Sequence, residues 1–370
     1  MLIDTAPTHE VGFLFGRFDP PHLAHKRLAL ELKKKVKHLL IGLGSYRCAP
    51  NIINPFSSEL RKGMWKAMLP DIELTFFEVH DTLYNQAQWD MNFEMALMKA
   101  LRELKENDFA RHPLNFDKIA CIGHKKKGDK STEYLNKFKQ KFDYFPLKTK
   151  ATAEMNATDI RFGLFGHGRF TTKNKKEYPW YEFTDRNVTD YILNNIVGTP
   201  LFEHLQGEHN YIYNTYLPRH QSDYPLVAMT SDAVVTYGAN VLVGKRKDYP
   251  AKGQLAFPGG FVHTNEQTHE GMLRELTEET GITLNKMQLK KLIGKQRIFA
   301  DPRRDPRGRI YSHAFHIELD DTMPCPYPIG ADDLEEAFFI SKREFYERSP
   351  EVGFDHVQIL DWFTHGGDDY

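Results

Sequence analysis

Residues 11–25 read VGFLFGRFDPPHLAH: an apolar run Val11–Phe15, then Gly16, Pro20 and Pro21, with His22 and His25 three positions apart. The run has the composition of a buried strand. Beyond it Leu28, Leu32 and Val36 recur every four residues while Lys26, Arg27 and Lys33–Lys35 occupy the positions between, which is the pattern of an amphipathic helix. Proline just before a helix is a start signal. His22 and His25 therefore share one face of a first helical turn, where unpaired amides and the helix dipole favour an anion. With Gly16, Arg17 and Phe18 in the preceding turn, the two imidazoles make a candidate cradle for a polyphosphate. The HxxH spacing alone is a weak motif, shared by surface histidines and half-built metal sites. No cysteine or third histidine stands nearby at ligand spacing for zinc.

Outward from this stretch, strands are predicted at Leu39–Leu43, Ile72–Phe77 and Lys118–Ile122, and a helical stripe runs through Phe93, Ala96, Leu97, Ala100, Leu101 and Leu104. Strands separated by helices imply parallel pairing with right-handed crossovers, hence an open α/β sheet. Such sheets bind ligands beyond the carboxyl ends of their strands. Two further pieces fit an anionic substrate. Gly123 and His124 open a basic loop, Lys125-Lys126-Lys127-Gly128, after the fourth strand. Asn156 or Thr158 can cap a helix that carries Arg161, a second anion-binding arrangement. A lysine run is more often solvated surface, and a capped helix with an arginine is common.

The second half is patterned differently. Residues 196–224 are aromatic and polar without strand alternation and read as a partly helical linker. A hairpin over Ala233–Val243 turning at Gly238-Ala239-Asn240, a strand at Arg309–Leu319 and a single helix at about 267–280 make a mixed α+β domain. The expected division is 1–195, a linker at 196–224, and 225–370.

On that single helix, Glu275, Glu278 and Glu279 fall within an arc of about 100°, while Met272, Leu273 and Leu276 take another arc and Gly281 is a candidate C-terminal cap. Glu275 and Glu279 are like charges at i, i+4, which costs a few tenths of a kcal/mol if uncompensated. A divalent cation supplies the missing charge, and hard carboxylate oxygens suit Mg²⁺ or Mn²⁺. A solvated acidic face explains a bare Glu-Glu pair, but not also Gly259-Gly260, Glu266 and Arg274 at fixed spacing.

Composition limits the alternatives. The chain has 370 residues, and about 150 residues per domain favours two domains. With 41% hydrophobic and 27% charged residues it is globular rather than disordered, and its formal net charge of −1 lacks the basic signature of a nucleic-acid binder. No apolar run approaches the roughly 18 residues of a membrane span, and the opening MLIDTAPTHE lacks the basic start and apolar stretch of a signal peptide. Cys48, Cys121 and Cys325 form no CxxC pair. The expectation is a soluble, cytoplasmic protein with no nucleic-acid or membrane partner; a homo-oligomer is left open.

GRFDPPHLAH and the later NATDIR resemble the GRFxPxHxGH and ISxTxIR signatures of the nicotinamide mononucleotide (NMN) adenylyltransferases of the nucleotidyltransferase superfamily. Ser45, Asn54-Pro55-Phe56 and Glu59-Leu60-Arg61 are similar to that family's S…NPF…ER stretch. The resemblance covers about residues 11–195, with Ala24 in place of the usual glycine and Asn156 in place of serine. It implies a Rossmann-like parallel sheet and attack of the NMN phosphate on the α-phosphorus of ATP. His22 and His25 would stabilise the ATP phosphates and Arg161 the leaving pyrophosphate. Gly16, Arg17, Phe18, Gly123, His124, Asn156 and Thr158 would contact substrate, and magnesium would ride on the phosphates. Trp89, within LYNQAQW, matches a tryptophan that stacks on nicotinamide; core packing is the alternative.

Residues 260–282 match the Nudix box Gx5Ex7REUxEExGU at every defined position. This resemblance implies an α/β/α-sandwich and metal-assisted attack of water on a pyrophosphate joining a nucleoside to another group. Glu275, Glu278 and Glu279 would hold the metal, Glu278 and Glu279 being counted with the catalytic groups, and Arg274 would orient them. Gly260, Arg246, Arg274 and Arg309 are candidates for contact with ADP-ribose, and Arg303, Arg304 and Arg307 add to a supply of cations for a diphosphate. The general base stays open among Asp332, Asp333, Glu335 and Glu336. The whole chain resembles the fused NMN adenylyltransferase/ADP-ribose pyrophosphatases, with ATP, NMN and ADP-ribose as implied substrates. Two alternatives remain: other phosphate esters and other nucleoside diphosphates as substrates, or a Nudix domain that only senses ADP-ribose or NAD.

Overall fold

The apolar run Val11–Phe15 lies in β1 (His9–Gly16), the centre of a five-stranded parallel sheet. The computed structural model describes residues 7–104, 119–124, 140–147, 156–166, 168–171, 177–220, 226–320 and 324–367. Helix α1 (Leu23–Lys33) leads to β2 (Val36–Leu43), α2 (Ser58–Met68) to β3 (Leu74–Glu78), and α3 (Gln86–Glu103) precedes β4 (Ile119–His124) and β5 (Asp143–Leu147). The order β3-β2-β1-β4-β5 reverses between β1 and β4, so the crevice at their carboxyl ends is the switch point where open α/β sheets bind ligands. The sequence puts Gly16–His25 at one lip of that crevice and Gly123–His124 at the other. Gly12 lets α1 and the start of β2 pack close to β1, because a Cβ there would come within 3.0 Å of Leu32 on α1 and 2.6 Å of Val36 on β2. One core unites Val11, Phe13, Leu40, Phe77, Phe93, Leu97 and Ile119.

Three predicted strands of this half run slightly longer than expected, and the one placed at 72–77 spans Leu74–Glu78. Strand β5 was not foreseen. Its sequence DYFPL carries Pro146, which weakens a strand signal and is tolerated on an edge, and β5 is the edge of the sheet. The predicted loop Lys125–Gly128 lies outside the described residues.

In the second half, β8 (Ala228–Tyr237) pairs in parallel with β13 (Ile310–Leu319) and turns into β9 (Asn240–Arg246) through Gly238, at φ 55°, and Ala239. The sheet order is β10 (Leu255–Ala256), β9, β8, β13, β12 (Ile293–Phe299), with β11 (Gly259–Phe261) on β8 and β14 (Leu334–Ser341) on β9. Side chains alternate between two cores. Ala233, Val235 and Leu242 pack with Met272 and Leu276 of the helix Thr268–Thr280. Val234, Val241 and Val243 face Ile359, Leu360 and Phe363 of the helix His356–His365. The result is a sheet between helices.

The chain divides into two compact units, one within 1–46, 56–81 and 87–202 and the other within 47–55, 82–86 and 203–370. The stretch read as a partly helical linker holds the helix Pro200–Asn210 and a π-helical run Tyr211–Tyr216. Among the described residues no helix is long and apolar enough to cross a membrane.

Candidate active sites

In the first unit the loop after β1 is built by buried charges. Phe18 sits at φ 51°, an uncommon conformation for a non-glycine residue, with its ring edge-on to His25 and to Trp65. Arg61, 1% exposed, donates Nη1 to the carbonyls of Arg17 at 2.6 Å and Gly44 at 2.7 Å and Nη2 to that of Ser45 at 3.3 Å. Asp19 is buried, accepts the Phe56 amide at 3.3 Å, and has its carboxyl pushed up to about 6 by burial, against the pull of Arg61, Arg161 and Arg17.

His22 is the N-cap of α1. Its amide donates to Nδ1 of His25 at 3.2 Å, and the two rings stack with centroids 3.7 Å apart. Because Nδ1 of His25 accepts, the neutral ring carries its proton on Nε2 and offers a donor there. Asn156 caps the helix Ala157–Phe165 through the Asp159 amide at 2.8 Å. Thr158 instead accepts Nη2 of Arg161 at 3.2 Å, and Nη1 of Arg161 donates to the Asp19 carbonyl at 2.7 Å. The two motifs thus meet: Arg161 closes onto the loop that carries His22. Ala24 is buried, so its extra methyl packs inward. Trp89 is 5% exposed, with one face stacked on Phe93 at 5.6 Å and its edge region against Phe15, the arrangement of the core-packing alternative. Gly123 and His124 end β4, and the Gly123 carbonyl accepts Tyr144 Oη at 3.3 Å.

In the second unit two of the three predicted carboxylates, Glu275 and Glu278, meet at Arg274. Arg274 sends Nε and Nη2 to Glu266 at 3.1 and 2.8 Å, and Nη1 to Glu275 at 2.7 Å and Glu278 at 2.9 Å. That fork holds the Glu266 carboxyl down at about 2. Glu279 is 1% exposed and accepts the Gly259 amide at 2.8 Å. Burial pushes its carboxyl up to about 8, and Glu275 pushes in the same direction. Glu275 is also raised, by burial, against Arg274. Gly260 has no room for a side chain, since a Cβ would lie 2.4 Å from Glu275 Oε1. Gly281 caps the helix in the left-handed conformation.

Two buried carboxyl groups, Glu275 and Glu279, with a single arginine shared among Glu266, Glu275 and Glu278 are a donor set short of positive charge, which suits a hard divalent cation. Among the described residues no group of three His, Cys, Asp or Glu side chains is already gathered for a metal; Glu275 and Glu278 both face Arg274 instead. Of the four acidic candidates for the base, Asp333 acts electrostatically on both Glu275 and Glu279, while Glu335 pairs with Lys245 at 3.1 Å.

The arginines now separate. Arg303 pairs with Asp301, Arg304 with Asp355 and Arg307 with Asp305, and Arg309 donates to Tyr311 Oη at 3.2 Å. Arg246 donates Nε to the Pro250 carbonyl at 3.1 Å and is pulled below the usual arginine range by burial and by Arg307. Sequence reasoning missed Asp232, a buried carboxylate on β8 whose sole signal was a charge inside an apolar strand, and Phe354, at φ 56° with its ring 5.6 Å from Arg246 and 5.8 Å from Arg307.

Residues 228–363 match the NUDIX domain model. A 35% identical relative, the ADP-ribose pyrophosphatase of Methanocaldococcus jannaschii, aligns over 137 residues, 37% of this chain and 72% of its own. The chain belongs to the Nudix family. Ahead of this Nudix part, residues 13–161 match the cytidylyltransferase-like model. A probable nicotinate-nucleotide adenylyltransferase of Listeria monocytogenes is 42% identical over 72 residues, 18% of this chain and 36% of the relative; the chain spans well under two thirds of that protein. A crystal structure of a bifunctional NMN adenylyltransferase/ADP ribose pyrophosphatase from Francisella tularensis matches at TM-score 0.82 and 26% identity, over 97% of this chain and all of that one. The same Francisella protein complexed with AMP and a manganese ion matches at 0.79 and 25%, over 97% and 100%.

Proposed function

We propose that the chain is a bifunctional enzyme of NAD metabolism. Its first unit transfers the adenylyl group of ATP to NMN, giving NAD and pyrophosphate, and its second hydrolyses ADP-ribose to AMP and ribose 5-phosphate. The observation that carries this reading is the match of nearly the whole chain to the Francisella bifunctional protein.

In adenylyl transfer a phosphate oxygen of NMN forms the new P–O bond to the α-phosphorus as the α–β bridge breaks and pyrophosphate leaves. This chemistry needs positioning and charge neutralisation. His25 offers Nε2–H and stacks on His22, and the two rings hold and stabilise the ATP phosphates. Arg161, fixed on Asp19 and Thr158, stands ready for the leaving group, and Arg17 assists.

In hydrolysis Glu275, Glu278 and Glu279 would hold a divalent metal, magnesium or manganese, which would supply water activation and polarisation of the phosphate. Arg274 orients these carboxylates, Arg246 binds the diphosphate, and Asp333 accepts the proton of the water as its oxygen bonds to one phosphorus and the bridging P–O bond breaks, releasing AMP and ribose 5-phosphate.

The test is chromatography of products from the purified chain with Mg²⁺ or Mn²⁺. ATP is offered with NMN or nicotinic acid mononucleotide, and ADP-ribose, NAD, NADH and a dinucleoside polyphosphate are each run separately. NAD from NMN, and AMP plus ribose 5-phosphate from ADP-ribose ahead of the others, are expected. No turnover of any diphosphate by folded protein would overturn the hydrolase half in favour of a sensor.

A further inference from the structure

Residues 82–86 cluster with the second unit, although their neighbours in sequence on both sides belong to the first. Tyr84 lies in this short segment. Its hydroxyl donates to Oδ2 of Asp355, a carboxylate 1% exposed. The same carboxylate receives Nε and Nη2 of the buried Arg304 at 3.0 and 2.9 Å. Nη2 of Arg304 stands 4.0 Å from Oδ2 of Asp232, which also accepts the Ser312 hydroxyl. Asp232 is paired with Gly259 across β8 and β11, so close that a Cβ on Gly259 would fall 2.2 Å from Oδ1. Gly259 in turn donates its amide to Glu279.

From this continuous chain we infer that Tyr84 is a positioning residue for the metal-binding carboxylate Glu279, acting through Asp355, Arg304 and Asp232 on the Gly259 amide. The inference rests on the hydrolase reading of the second unit. The bonds from Tyr84 and Arg304 to Asp355, from Ser312 to Asp232 and from Gly259 to Glu279 are charge-assisted, which makes them directional and costly to leave unpaired; between them Arg304 faces Asp232 as an ion pair at 4.0 Å and Asp232 meets Gly259 by strand pairing. Burial beside Asp355 pushes the Tyr84 phenol up, so it stays protonated and keeps donating. Without the Tyr84 hydroxyl, Asp355 keeps its two-pronged bond to Arg304 but loses the partner that fixes its Oδ2 from the far side. Arg304 is then free to shift relative to Asp232, and the strand register that aims the Gly259 amide loosens. Partners behind a metal ligand commonly change metal affinity or activity by roughly 10–100-fold; a group four links away should act more weakly.

The test is Tyr84→Phe in the full chain, which keeps the ring against Phe299 at 4.8 Å. Mn²⁺ alone is titrated and its free ion followed by electron paramagnetic resonance, without substrate. Mn²⁺ affinity is expected to fall by about 3- to 10-fold. ADP-ribose hydrolysis should fall alike at limiting Mn²⁺ and recover at saturating Mn²⁺, with the KM for ADP-ribose unchanged. Ser312→Ala breaks the chain at its other end and should give the same change. The double variant should be no worse than either single one, as members of one network require. Unchanged Mn²⁺ affinity in folded Tyr84→Phe, or strict additivity in the double variant, would overturn the assignment. A wild type that binds Mn²⁺ but hydrolyses no ADP-ribose would count against the hydrolase reading, while the Mn²⁺ titrations would still decide the role of Tyr84.

Discussion

The amide of Gly259 donates to Oε2 of Glu279 across 2.8 Å, tying the residue just before the Nudix box to the most buried carboxylate of its helix. Glu279 therefore has a fixed direction but no full counter-charge, and its carboxyl is pushed up to about 8. That state suits a ligand which gives up a proton when the cation arrives.

Metal binding should accordingly release a proton. Near pH 7 most of Glu279 is protonated in the free protein, and a carboxylate must be deprotonated to bind. Calorimetry of Mn²⁺ binding in buffers of different ionisation enthalpy should show about one proton released at pH 7, fading well above pH 8. Wild-type proton release equal to that of Glu279→Gln would contradict this.

The same carboxyl sets a pH dependence of stability in the metal-free protein. Its folded value, about 8, lies above the ordinary 4.5, so between those values the folded chain holds a proton that the unfolded chain has lost. Its contribution is thus a destabilisation that grows as pH rises from about 4.5 and is complete above about 8. Glu279→Gln keeps an acceptor for Gly259 and removes the titration. Its melting temperature relative to wild type should climb from pH 5 to pH 8.

Gly260→Ala should damage hydrolysis more than folding. The added Cβ would meet Glu275 Oε1 at 2.4 Å and displace a half-buried carboxylate from the metal-binding group. A loss of about 10–100-fold in ADP-ribose turnover is expected, with adenylyl transfer retained. Full hydrolytic activity in this variant would contradict the placement of Glu275.

Arg246→Met separates binding from stability. The guanidinium is desolvated and repelled by Arg307, so an apolar replacement should leave the melting temperature unchanged or higher. The KM for ADP-ribose should rise about 10-fold or more, with kcat less affected if the contact is made equally in ground and transition states. A fall in stability with unchanged KM would assign Arg246 to structure instead.

Both folds and both motif sets were legible in the sequence where period and spacing carry the signal. The turn after Phe15 and the arc of Glu275, Glu278 and Glu279 are local geometry, and local geometry is what a sequence states openly. The rest depends on tertiary neighbours. Nothing near Arg61 in sequence says that it will be buried against the carbonyls of Arg17 and Gly44. The five arginines proposed for a diphosphate were equivalent until Asp301, Asp355 and Asp305 claimed three of them. Tyr84 gave no sign of its role because its partner Asp355 is 271 residues away.

The most direct test of two independent active sites on one chain is a reciprocal assay of His22→Ala and Glu279→Gln. Both activities are measured on each purified, folded variant. His22→Ala should lose roughly 10²–10³-fold in adenylyl transfer, the scale for removing one stabilising group, and keep ADP-ribose hydrolysis. Glu279→Gln should lose hydrolysis by more than the roughly 100-fold typical of supporting partners and keep adenylyl transfer. Equal loss of both activities in either variant, or near-wild-type NAD synthesis by His22→Ala, would contradict the account.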